Sequence, residues 1–211
     1  MNATAAGHGS CCASTMCNFG ALLAAALAAG MGLVGAAQAG SFAASLEAGT
    51  EREPRDFSHA VLNYDIATLT EMYDNGLSWT AFAQNSRAAH GGPEAWALEG
   101  MLGYRYGFSR FLVYGSTGLG ERLTKARDFP YATFRFGLDA VVDRELTWNA
   151  LNLRYRSGLD RGFVYHSSVA GTGLTWRPGA EFAFYTRVFG VLDTQYRYAG
   201  TGFGLGVRRF F

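Results

Sequence analysis

The chain has 211 residues, 18 Lys and Arg against 17 Asp and Glu, and a formal net charge of +1. That balance leaves no electrostatic footprint for nucleic acid. A mean hydropathy of +0.01 excludes a chain built mainly of membrane helices, and the length fits one domain.

The first element is an uncharged apolar run from Phe19 to Ala39, "FGALLAAALAAGMGLVGAAQA". Its Ala/Gly-rich core and the small-x-small ending at Ala37-Gln38-Ala39 predict a signal peptide over 1–39, cleaved before Gly40. Residues 1–18 lack Lys and Arg, and Met16 is an alternative start. Cys11, Cys12 and Cys17 all lie in this leader, so residues 40–211 have neither a disulfide framework nor a thiolate metal site.

After Gly40 the dominant pattern is alternation at period two, broken by turn signals at nearly regular intervals. Ten strands follow: 41–51, 59–70, 77–86, 95–106, 110–121, 130–141, 147–157, 164–176, 182–191 and the closing stretch 200–211. Strand one sets Phe42, Ala44, Leu46 and Ala48 against Ser45 and Glu47. "YDNG" at 73–76 marks a tight turn, because Asn-Gly tolerates positive φ. Strand six sets Phe134, Phe136 and Leu138 against Arg135 and Asp139; strand seven sets Leu151, Leu153 and Tyr155 against Asn152, Arg154 and Arg156. In strand five the alternation is ambiguous, and "RLTKARD" after it reads as a polar loop. Eight or twelve strands result if strands one and two, or five, divide differently.

Segments of ten to thirteen residues exceed the five or six typical of globular strands and suit tilted strands crossing a bilayer, which need about nine to eleven. The closing stretch "GTGFGLGVRRFF" alternates Phe203, Leu205 and Val207 and ends on Phe211. This ending resembles the C-terminal signal of bacterial outer-membrane β-barrel proteins. Arg209 departs from that pattern, where an apolar residue is usual. The resemblance implies an all-β, antiparallel up-and-down transmembrane barrel of about ten strands in the Gram-negative outer membrane. It also implies outer-membrane lipid and lipopolysaccharide as surroundings, and insertion by the barrel-assembly machinery, which reads Phe203, Leu205, Val207 and Phe211. A soluble periplasmic β-sandwich is the competing fold; it would have shorter strands.

With apolar faces outward, the lumen collects Glu47, Asn63, Asp65, Gln84, Glu99, Arg105, Arg135, Asp139, Asn152, Arg154, Arg156 and Arg187. Two functions fit: a side-chain-filled barrel held by ion pairs, with an envelope or loop-binding role, or a narrow pore preferring anions. A third reading rests on "YHSS" at 165–168. His166 and Ser168 share one strand face near a loop, and the pair resembles that of the outer-membrane phospholipase and the lipid A deacylase. The resemblance implies a serine nucleophile and a histidine base acting on phospholipid or lipid A. It lacks the polar group that orients the histidine, for which Asp160 is the only nearby carboxylate. Nothing in the sequence calls for a cofactor or metal: there is no Walker loop, no HExxH and no close His cluster.

Overall fold

The computed structural model describes residues 41–52, 60–72, 75–88, 94–162 and 164–211, with side chains for 43–50, 75–86, 94–162 and 164–211. The predicted leader, 1–39, lies outside the described residues. Ten strands are present among them: β1 (Ser41–Arg52), β2 (Ala60–Met72), β3 (Gly76–Ala88), β4 (Glu94–Phe108), β5 (Phe111–Thr124), β6 (Phe129–Val141), β7 (Leu146–Gly158), β8 (His166–Trp176), β9 (Phe182–Leu192) and β10 (Tyr198–Phe210). Each pairs antiparallel with its neighbours in sequence, and β10 pairs with β1 from Ala43↔Phe210 to Arg52↔Thr201. The sheet is therefore a closed barrel with no free edge, the arrangement that satisfies every ladder group in hydrocarbon.

The strands are 11 to 15 residues long. Connections after odd strands define a loop end, and those after even strands a turn end. At the turn end Ser109 adopts φ 55° in the link between β4 and β5, and Gly76 takes φ 149°, as the Asn-Gly signal requires. Asn75 Oδ1 accepts a bond from the Gly107 N–H at 2.6 Å, which ties two neighbouring turns together. At the loop end β5 continues through Thr124, so Arg122 and Leu123 belong to a strand and the expected polar loop shortens to Lys125–Asp128. Pairing extends that far because Ala95, Trp96 and Ala97 of β4 stand opposite Thr124, Leu123 and Arg122.

The outward face is apolar: Leu77 and Leu102 are each 70% exposed, and Leu46, Leu119, Phe134, Leu174, Val188 and Leu205 are exposed with them. In water such a surface would aggregate; against acyl chains it is the stable face. Aromatic residues gather at the turn end, where Tyr106 stacks on Phe108, Phe108 meets Phe111, and Trp176 meets Phe184. The Trp176 Nε1–H reaches Glu145 in a turn at 3.2 Å, with the apolar ring beside the belt and its polar edge at the rim.

The inward face is filled differently. Four large rings lie over glycines directly opposite them on the next strand: Tyr114 over Gly137, Tyr131 over Gly120, Tyr185 over Gly206, and Phe189 over Gly202. A Cβ at Gly120 would fall 2.6 Å from Tyr131 Cζ, so only glycine lets that ring lie flat. Three β-bulges interrupt the ladders, one of them on β10 between Tyr198 and Gly200; the other two reset the alternation within β2 and β7. One lies at Ile66, between Asp65 and Ala67 of β2. The other lies on β7 between Asn149 and Asn152, where one extra residue turns both asparagines to the lumen.

Candidate functional site

The lumen has two halves of different character. In the loop half, Glu99 of β4 is the pivot, and only 5% of it is exposed. Arg156 of β7 donates from Nε to Glu99 Oε1 at 2.6 Å and pairs with it again through Nη2. Arg135 of β6 donates from Nη2 to Oε2 at 2.8 Å. The Tyr131 hydroxyl donates to Oε1 at 3.0 Å, and Thr133 approaches Oε2 at 3.4 Å. Gln84 Oε1 accepts from both terminal nitrogens of Arg156 at 3.3 Å. The Phe82 ring lies beneath Arg135, 4.4 Å from guanidinium carbon to centroid. Two guanidiniums, a phenol and a hydroxyl thus saturate one buried carboxylate, the condition under which a buried ion pair holds.

Above this cluster sits an aromatic lid. Phe129 and Tyr131 are buried with Ala97, and Tyr165 packs on both rings, its centroid 4.8 Å from that of Phe129. Arg122 donates to the Tyr165 hydroxyl at 3.2 Å. Lid and charge cluster both lie in the loop half and link β4, β6 and β7, with Tyr165 and Gln84 added from beside them.

The turn half is open inside. A cavity of about 240 Å³ lies there, lined by Arg105, Arg135, Arg154, Arg187 and Arg208 with the carboxylates Glu47 and Asp139. Arg187 Nε donates to Glu47 Oε1 at 2.6 Å. Asp139 accepts from Asn149 Nδ2 at 3.0 Å. Asn152 donates to the Tyr114 hydroxyl at 3.1 Å. The bulge on β7 is what supplies both asparagines to this chamber.

All the predicted lumen residues with described side chains face inward, but they do not form one network. Glu99 gathers Arg135 and Arg156; Glu47 takes Arg187; Asp139 bonds to an amide; Arg105 lines the cavity wall. Arg154 makes no hydrogen bond or ion pair among the described residues, and its Nε is buried. Asp65 stands in register with Glu47 and Gln84, and its side chain lies outside the described residues, as does that of Asn63. Sequence reasoning missed Tyr131, Phe82, Tyr114, Asn149 and Arg208. The signal was present for two of them: Tyr131 has the parity of Arg135, and Phe82 that of Gln84. An aromatic residue suits either lipid or a filled lumen, so residue type alone does not mark these rings as inward.

On the outer surface, the structure does not bring Ser168 to His166. His166 Nδ1 instead lies 2.9 Å from the Tyr155 hydroxyl, and its ring stacks between Tyr155 and Tyr196, centroids 6.0 and 5.9 Å away. Ser168 stands opposite Tyr155 and makes no hydrogen bond among the described residues. Asp160 is turned away, bonded to the Gly162 N–H and to Arg127. The Gly162 N–H, with Arg127 adding to it, holds the Asp160 carboxyl below its ordinary range. Tyr196 reaches His166 from the loop after β9 with φ 58°. Asp193 stabilises that loop by accepting from the N–H groups of Gln195 (2.8 Å) and Arg197 (2.9 Å), and the Arg197 N–H in particular keeps its carboxyl below the usual range.

The C-terminal residues fall as their alternation requires: Phe203, Leu205 and Phe211 are exposed on the outward face. Arg209 shares that face at the turn end. It lies between two rings, 5.7 Å from the Phe182 centroid and 4.8 Å from that of Phe211. Cation–π contact at the rim accounts for an arginine at this place.

No family model matches the chain, and no curated protein does. Among solved structures it is similar to an outer-membrane channel from Pseudomonas putida F1, with a TM-score of 0.56 and 9% identity, covering 83% of this chain and 97% of that one. It is also similar to the NanC porin, at TM-score 0.48 and 6% identity, over 78% of this chain and 98% of that one. A loop-deletion mutant of OmpT, an outer-membrane protein of Vibrio cholerae, follows at TM-score 0.44 and 9% identity, over 78% of this chain. The chain spans 62% of the length of that protein. The match to the Pseudomonas putida channel, taken with the closed ten-stranded sheet and its apolar belt, gives this chain the fold of the outer-membrane β-barrels.

Proposed function

We propose that this protein is an integral outer-membrane barrel with a closed lumen. Its role is structural in the envelope or lies in what its loops bind, and it does not pass solutes in its resting form. The observation that carries this reading is the Glu99 cluster, which joins β3, β4, β6 and β7 across the lumen beneath the Phe129–Tyr131–Tyr165 lid. The leader 1–39 is removed at Gly40, and the barrel sits among outer-membrane lipids after insertion by the assembly machinery. The test is a liposome-swelling assay with a small neutral sugar. The purified protein should give no swelling above empty vesicles; rapid swelling overturns the reading. Mass spectrometry of protein from outer-membrane fractions should find an N-terminus near Gly40.

One observation favours a second reading, an anion-preferring pore: the five arginines lining the turn-half cavity. Under that reading, swelling with a small anionic solute would exceed that with the sugar.

A further inference from the structure

Arg154 stands beside Arg135 across the β6–β7 ladder, and both line the turn-half cavity. Like charges directly opposite each other are destabilising. Two of the described lumen carboxylates are already taken: Glu99 by Arg156 and Arg135, Glu47 by Arg187. Asp139, on the same wall, accepts from Asn149. That leaves the Nε–H groups of Arg135 and Arg154 buried and without acceptors among the described residues. A buried N–H left without an acceptor is costly. A third donor points the same way, because Tyr114 accepts from Asn152 and its own proton has no acceptor among the described residues.

We propose that this cavity is a binding site for a small oxyanion, a phosphate or carboxylate group held by Arg154 and Arg135 with Tyr114 donating. The Nε–H and a terminal N–H of a guanidinium form a fork that matches two oxygens of either group. The volume of about 240 Å³ is several times the roughly 30 Å³ that one water takes in the liquid, so a solute of several heavy atoms fits. Glu47 and Asp139 share the wall and set a limit on how much negative charge is accepted. The inference stands whether or not the lumen conducts.

Calorimetric titration of the purified protein in detergent with inorganic phosphate, and separately with succinate, at low chloride, tests it. Saturable binding of at least one anion is expected, weakened tenfold or more in Arg154→Gln and several-fold in Tyr114→Phe. Arg122→Gln, at the loop end, should keep the parent affinity. The bound anion should also raise the thermal midpoint of the parent and not that of Arg154→Gln. Heat-dependent gel migration checks that each variant is folded, and Tyr114→Phe carries the test if Arg154→Gln is not. Absence of saturable binding, parent affinity in both chamber variants, or an equal loss in Arg122→Gln overturns the proposal.

Discussion

At the scale of single residues, Glu99 carries more than any other side chain described. It answers Arg156 and Arg135 in a site shielded from water, and removing it leaves the buried Arg156 and the partly buried Arg135 without their counter-charge. Breaking such a pair on one side costs about 3–5 kcal/mol. Glu99→Gln should therefore lose that much stability in urea unfolding of the lipid-embedded barrel, while Asp160→Asn, on an exposed pair with Arg127, should change nothing measurable. Asp193 responds to pH in a defined direction. Its folded-state pKa is depressed, so its contribution is complete above the ordinary carboxylate range and is lost as pH falls through the lower, folded value. Amide exchange at Gln195 and Arg197 should accelerate on acidification and stay slow at neutral pH. For the hydrolase reading, Ser168→Ala should fold as the parent does and leave ester release from phospholipid at background, because His166 is engaged with Tyr155 rather than Ser168. Hydrolysis lost in both Ser168→Ala and His166→Ala would contradict this.

At the scale of elements, the glycines opposite inward rings explain why a chain so rich in glycine forms firm strands. Gly120→Ala puts a Cβ against Tyr131 and the Leu98 carbonyl, and this overpacking should cost about 1–3 kcal/mol in the same unfolding assay. On β10, Phe211→Ala removes an exposed ring from Arg209 and should reduce the yield of heat-modifiable barrel far more than replacement of the loop residue Lys125. The strands that could be located from sequence were those whose two faces meet different solvents. β6 sets Phe134 and Phe136 against Arg135 and Asp139, so lipid and lumen are written into alternate letters. β5 lacks that contrast, since Gly115, Gly118 and Gly120 occupy both faces, and its register comes from β4 and β6 instead. The bulges at Ile66 and after Asn149 could not be read at all, because one inserted residue leaves no chemical mark. Missing the second bulge is why Asn149 was not placed in the lumen. The pairing of Glu99 with Arg156 also lay out of reach, because it crosses the barrel between strands that are not neighbours.

At the scale of the whole molecule, the seam between β1 and β10 turns a sheet into a wall, and the side chains within decide whether that wall encloses a passage. The loop half holds one carboxylate, its cations and three aromatic rings; the turn half holds a cavity lined by arginines. Outward Leu77 and Leu102 and inward Glu99 belong to strands that meet hydrocarbon on one side and polar groups on the other. The most direct test is single-channel conductance in a planar bilayer, comparing the purified parent protein with Glu99→Gln. The parent should show no sustained steps, and the variant should show openings, because Arg156 and Arg135 lose the group that holds them across the lumen. A large, steady conductance in the parent, unchanged by Glu99→Gln, would contradict the closed lumen.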